Sequence, residues 1–340
     1  MKKTVVLLII IWFIVSAYKE IGSYELIVPS NWPKPVYDFN RNPLTSDKVL
    51  LGRVLFYDPI LSKDNTISCS SCHSQYSAFT HIDHALSHGI NNQIGKRNSP
   101  ALMNLAWNSS FMWDGAVNHL DMQALAPMSN TVEMNETIGH VVEKLQHSPI
   151  YPKLFYNAFD DSVITGERLL KSISQFMLTL VSCHSKYDSV LQKKALFTEQ
   201  EKNGYQLFKK NCSSCHKEPL FTNDQFENNG LPVDTSLKDV GRMLITQDSA
   251  NYLQFRVPTL RNIQYSYPYM HDGRFGKLKQ VLDHYTNGIV KYKNLSKPLM
   301  KPIALSSNEK VDLIAFLYTL SDTAFIFDKH YSYPRDILIP

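Results

Sequence analysis

Cys69-Ser70-Ser71-Cys72-His73 and Cys212-Ser213-Ser214-Cys215-His216 are two copies of one pentapeptide. C-x-x-C-H is the attachment signature of a c-type haem. Two thiols three positions apart on a helical turn can each add to a haem vinyl group, and the adjacent histidine then reaches under the ring as an iron ligand. Four of the five cysteines are used in these two motifs. Other chemistries also use this spacing. Paired C-x-x-C units hold zinc, and a single unit can be a redox dithiol. Zinc does not require a histidine directly after the second cysteine in both copies. A thioredoxin-like dithiol sits near a βαβ pattern, which this chain lacks. The expectation is two covalently bound c-type haems, held by Cys69, Cys72 and His73 and by Cys212, Cys215 and His216.

At 340 residues, 44% apolar and 19% charged, the chain has the composition of a globular protein long enough for two domains. The formal charge is +4 and no Lys/Arg cluster stands out, so no nucleic-acid partner is expected. Seventeen Phe and eighteen Tyr suit a protein that wraps large flat cofactors. Lys2 and Lys3 precede an apolar run from Val5 to Val15, and Val15-Ser16-Ala17 resembles a cleavage site. The run is too short to span a bilayer comfortably. Residues 1–17 therefore read as a removed signal peptide. Cleavage takes away two lysines, lowering the charge from +4 to +2, and places the mature protein in the periplasm.

A Pro-rich leader, Val28 to Pro35, reads as extended surface chain. Thr45 to Asp58 carries Leu50, Leu51, Val54 and Leu55 at helical spacing. Its Gly52-Arg53-Val54-Leu55-Phe56 is echoed by Gly204-Tyr205-Gln206-Leu207-Phe208, so each G-x-x-L-F precedes a C-S-S-C-H. The repeat includes the helix leading into the motif, which argues for two related haem domains. Further helices are expected over Thr137–Gln146 and Thr165–Val181, the latter with Leu169, Ile173, Phe176, Met177 and Leu180 on one side. Thr198-x-x-Glu201 and Ser306-x-x-Glu309 read as capping boxes. A last helix carries Val311, Ile314, Ala315, Leu317 and Tyr318. Residues 81–99 read as a polar loop with three histidines, His81, His84 and His88. Cys183, left over from the haem motifs, reads as a buried thiol on the Phe176–Val181 helix. The fold class is mainly α, two cytochrome c-like haem domains with long loops and little β structure. The expected division is 18–190, an N-terminal haem domain, and 191–340, a C-terminal haem domain.

The sequence resembles the bacterial di-haem cytochrome c peroxidases and their MauG-type relatives. The resemblance is carried by Arg97-Asn98-Ser99-Pro100, Trp113-Asp114-Gly115, Val132-Glu133-Met134, Arg256-Val257-Pro258-Thr259-Leu260-Arg261-Asn262 and Tyr269-Met270-His271-Asp272-Gly273, in order around the two haem motifs. It implies a peroxidatic N-terminal domain and an electron-transfer C-terminal domain, with hydrogen peroxide cleaved above the His73 haem, Glu133 as acid/base, Gln123 as its polar neighbour and Trp113 between the haems. Peroxide cleavage needs a group that moves a proton between the two oxygens and a neighbour that stabilises developing charge. Without the resemblance, Glu133 is an ordinary carboxylate, Gln123 a helix-surface amide and Trp113 a core residue. The resemblance also implies a calcium ion held by the Asn98 side chain and the carbonyls of Ser266 and Pro268. Its electron donor is a small cytochrome c or copper protein, and many members are homodimers.

Two positions depart from most members. Where they carry a distal histidine seven residues before the arginine of R-N, this chain has Ile90, with His88 nearby but out of register. That leaves the His73 iron open without prior reduction, with the nearby histidines solvated or structural. Where most members supply methionine to the other haem, this chain has Tyr285, as MauG-type proteins do. His284, Met270 and Met300 are the alternative ligands. The leading expectation is a periplasmic peroxidase. The alternatives are a MauG-type oxidase of a partner protein's residues, favoured by Ile90 and Tyr285, and a non-enzymatic di-haem electron carrier. Lys210 stands where MauG has a tryptophan used in hole transfer, which counts against the first alternative. The Trp113, Gln123 and Glu133 constellation counts against the second.

Overall fold

A computed structural model describes residues 24–339. The expected signal peptide, residues 1–17, lies outside them. Among the described residues the fold is helical, the one sheet being an antiparallel pair, Phe226–Glu227 with Phe255–Arg256. No helix among them is long and apolar enough to cross a membrane.

The two halves repeat one device. The Ser46–Tyr57 helix is capped by Thr45, whose side chain accepts from Lys48 N, and it packs on the Gly166–Thr179 helix. The Glu199–Asn211 helix opens with the Thr198/Glu201 capping box and packs in the same way on Ser307–Tyr318, itself opened by Ser306/Glu309. At each crossing a glycine removes the side chain that would hold the backbones apart. A Cβ on Gly52 would lie 1.8 Å from Ser172 O, and one on Gly204 would lie 2.0 Å from Asp312 O. Phe56, Phe79 and Phe176 form a cluster with ring centroids 5.2–6.5 Å apart, matched by Phe208, Phe221 and Phe316 at 5.1–6.3 Å. The G-x-x-L-F echo is thus a helix crossing plus the first ring of an aromatic cluster.

Two apolar cores result. The larger contains Leu51, Leu55, Phe56, Ile173 and Phe176, and the smaller contains Tyr187, Phe208, Phe221, Leu313 and Phe316. Chain order does not partition them. Phe325, Ile326 and Tyr331, close to the C-terminus, return to the larger core.

Four expectations are corrected. The Gly166–Thr179 helix ends before Cys183, which is buried as expected but in the segment that follows. Its thiol is pushed up to about 12, mainly by burial and then by Asp188 and Asp322. On Ser307–Tyr318 the inward face is Leu313, Phe316 and Leu317, whereas Val311 and Tyr318 are about half exposed. That helix is also not the last, since Thr323–Ile326 and Arg335–Leu338 follow. In the leader, Trp32 turns inward and packs edge-on to Trp107 at 4.8 Å. Trp32 N donates to Pro29 O at 3.0 Å, so the leader makes a turn there, and a large ring offers much apolar area to bury.

Candidate haem sites

Cys69–Cys72 forms a single helical turn, its backbone closed by Ser68 and Ser71, and His73 caps it. His73 Nδ1 lies 2.8 Å from Phe79 O. In the other half His216 Nδ1 lies 3.2 Å from both Phe221 O and Pro258 O. A carbonyl can only accept, so in each histidine Nδ1 carries the proton and Nε2 is left as the free donor to a metal. Burial, outweighing these hydrogen bonds, pulls both imidazoles down to about 4, so they are neutral at physiological pH. Phe79 and Phe221 reach their histidines from left-handed backbone, with φ of 57° and 54°.

Beside the first motif is a cavity of about 430 Å³, lined by Cys69, Cys72 and His73, by apolar side chains including Phe56, Leu102, Ile173 and Met177, and by Gln123 and Glu133. A second cavity, of about 190 Å³, is lined by His216, Val257, Tyr269, Met270 and Tyr285. The Cys212 and Cys215 thiols lie close enough to Tyr285 to act on its phenol. Flat apolar walls, paired thiols and a histidine with a free Nε2 fit a haem in each place.

The distal walls are also repeats. Phe111 pairs with Val117 across a tight loop, as Tyr269 pairs with Phe275. Between them Met112 and Met270, and Gly115 and Gly273, all have positive φ. In this register Trp113 matches His271, and Pro127 matches Tyr285. Pro127 lines the first cavity and Tyr285 the second. Proline offers no side-chain donor atom, and phenol offers one. This asymmetry, and the carbonyl clamps at Phe79 and Phe221, were not identified from the sequence. The M-x-D-G pair (112–115 and 270–273) was the available signal.

The remaining expected residues fall as follows. Trp113 lines both cavities, and its Nε1 donates to Asn98 O at 2.8 Å. Gln123 is buried, with Nε2 3.8 Å from Met112 Sδ. Burial raises the Glu133 carboxyl, against the hydrogen bonds of Asn130 and Ser87. Ile90 is buried and its N–H donates to Glu133 O, so it braces Glu133 rather than lining the cavity. Arg97 crosses between the halves to Asp114 and Asp239, both at 2.6 Å.

Among the alternative ligands of the second iron, Met300 is 59% exposed and does not line the cavity. His284 is turned away, with Nε2 3.1 Å from Asn229 O. Met270 lines the cavity and accepts from Asn229 Nδ2 at 3.5 Å. Tyr285 lies in a π-helical turn, His284–Gly288. Its phenol is pushed up to about 12 by burial and the two thiols, against a hydrogen bond with Asn229. Asn98, Ser266 and Pro268 share the second cavity, and Asn98 Nδ2 donates to Ala85 O at 2.9 Å.

Fold and site define a protein with two c-type haem units of unequal distal walls. Residues 46–196 match the family model described as di-haem cytochrome c peroxidase, and residues 201–321 match that of cytochrome c. The methylamine utilization protein MauG of Methylorubrum extorquens is 37% identical, with 86% of this chain and 82% of that protein covered. The cytochrome c551 peroxidase of Nitrosomonas europaea is 35% identical, with 82% and 81% covered. A solved MauG-like protein associated with microbial copper homeostasis superposes with a TM-score of 0.84 at 31% identity, covering 92% of this chain and 99% of that one. The chain belongs to the di-haem cytochrome c peroxidase/MauG family.

Proposed function

We propose that this protein is a peroxidase that reduces hydrogen peroxide to water at the His73 site, with electrons entering through the His216 site from a small cytochrome c or copper protein. The observation that carries this is the placing of Gln123 and Glu133 in the cavity of His73, where Pro127 supplies no ligand. The haems, when bound, supply the redox chemistry of oxygen–oxygen bond cleavage. Glu133 holds and moves a proton at its carboxylate, and burial keeps that group closer to the protonated state than a solvated glutamate. Gln123 Nε2 donates to developing charge on oxygen. Trp113, in contact with both cavities, offers a π system between them. We assign Tyr285 as the second ligand of the His216 iron, a hard anionic donor that favours the ferric state. Asn98 and the carbonyls of Ser266 and Pro268 are hard oxygen donors suited to calcium. Export to the periplasm and a homodimer complete the proposal.

Tyr285 in the second cavity favours a second reading, in which peroxide oxidises residues of a partner protein. Steady-state kinetics separates the two. Continuous peroxide turnover with a reduced small cytochrome or copper protein supports the peroxidase, and peroxide consumption only during modification of a partner sinks it.

A further inference from the structure

The His81, His84 and His88 row is used by nothing above. His81 Nε2 lies 3.3 Å from His84 Nδ1, and the His84 and His88 rings stack at 3.9 Å. His84 is exposed, whereas His88 is half-buried and lines the His73 cavity. Among the described residues no three His, Cys, Asp or Glu side chains are grouped to hold a metal ion. The row instead runs from solvent to the cavity wall.

The backbone fixes its inner end. His88 O lies 3.4 Å from the Cys72 sulfur, and His88 bridges to Ile94. A Cβ on Gly89 would lie 2.2 Å from Val132 O and 2.4 Å from Glu133 O, so only glycine lets this loop press on the Glu133 segment. Ile90 N donates to Glu133 O at 2.9 Å. Ser87, on the other side of His88, hydrogen-bonds the Glu133 side chain. One short loop therefore holds Glu133 through Ser87 and Ile90 and presents His88 to the same cavity.

Reducing one peroxide to two waters takes up two electrons and two protons. Glu133 can shuttle a proton between the oxygens, but the protons consumed must come from solvent. We infer that His88, with the exposed His84 stacked behind it, is the proton-entry residue of the His73 cavity, taking protons from water and passing them to Glu133. In each transfer an N–H bond of the imidazolium breaks, water in the cavity relays the proton, and an O–H bond forms on the carboxylate. The neutral imidazole is then recharged from solvent through His84. The inference rests on the peroxidase reading and goes beyond it by naming the proton source. The other charged groups beside the row are Asp83 near His81, and Lys96 and Arg97 on the returning strand of the loop.

The test is steady-state peroxide reduction by the holoprotein and its His88→Gln and His84→Gln variants, over rising buffer concentration at constant pH and ionic strength. The expected result is a loss of turnover for His88→Gln in dilute buffer that concentrated buffer restores, because small buffer acids replace the imidazole. His84→Gln shows a smaller loss of the same kind, and haem spectra are unchanged in both. Wild-type turnover by His88→Gln in dilute buffer overturns the inference, as does a loss that no buffer restores. A changed spin state of the His73 haem in as-isolated His88→Gln makes His88 an iron ligand and also overturns it. In all three cases wild-type turnover leaves the peroxidase reading standing. A wild-type protein that consumes no peroxide removes that reading itself.

Discussion

Pro127 stands in the wall of the His73 cavity where Tyr285 stands in the wall of the His216 cavity. The two positions follow Phe111-x-x-Asp114-Gly115 and Tyr269-x-x-Asp272-Gly273 in the same register. Two units with the same proximal clamp thus differ where a substrate or a second ligand would approach. A ring without a donor atom stands on one side, and a buried phenol with one stands on the other.

Tyr285→Phe is expected to change the spectrum and lower the apparent stability of the ferric state of the His216 haem only. Optical and EPR spectra of the as-isolated and half-reduced protein measure this. An unchanged second haem returns Tyr285 to packing and moves the assignment to Met270.

Glu133→Gln keeps the side chain's shape and removes its ability to hold and release a proton. Peroxide turnover is expected to fall about 10²–10⁴-fold, the usual contribution of a positioned acid/base. Both haems should remain attached by their characteristic pyridine spectra. Turnover within a few-fold of wild type would discard Glu133 as the acid/base.

Gly204→Ala and Gly52→Ala force a methyl group into a backbone carbonyl that cannot rotate away. Each is expected to destabilise its half by about 3 kcal/mol or more, at the upper end for overpacking. A thermal melt with no change in Tm for either variant would show that the helices part at no cost.

Asp188 accepts both terminal nitrogens of the fully buried Arg261, at 2.8 and 2.9 Å. Burial raises the Asp188 carboxyl, but the hydrogen bonds and charge of Arg261 outweigh it and hold the group below its usual range. A depressed folded-state pKa gives stability that is present above the unfolded value, about 3.9, and is lost as pH falls through the folded value. Asp188→Asn should therefore cost about 3–5 kcal/mol at pH 7, through the unpaired guanidinium. The gap in urea midpoint between wild type and variant should narrow below about pH 4. A gap that does not vary with pH would mean that the carboxylate's charge is not what supports Arg261.

The sequence by itself determined the attachment chemistry, the two-unit helical fold and the main helices. These depend on local signals: thiol spacing, Thr198 and Ser306 as caps, and apolar residues at 3.6-residue spacing. The family resemblance nominated Gln123, Glu133, Trp113 and Tyr285. The tertiary structure placed Gln123 and Glu133 in one cavity and Tyr285 in the other, with Trp113 touching both. It also decided which carbonyls, those of Phe79 and Phe221, orient the two histidines. The inward face of Ser307–Tyr318 was misjudged because Val311 is apolar yet finds no neighbour to bury it, while Phe316 faces the Gly204 crossing. Spacing along a chain shows which residues can share a face. Only packing shows which face has something opposite it, and so which of two identical C-S-S-C-H motifs shares a cavity with Pro127 and which with Tyr285.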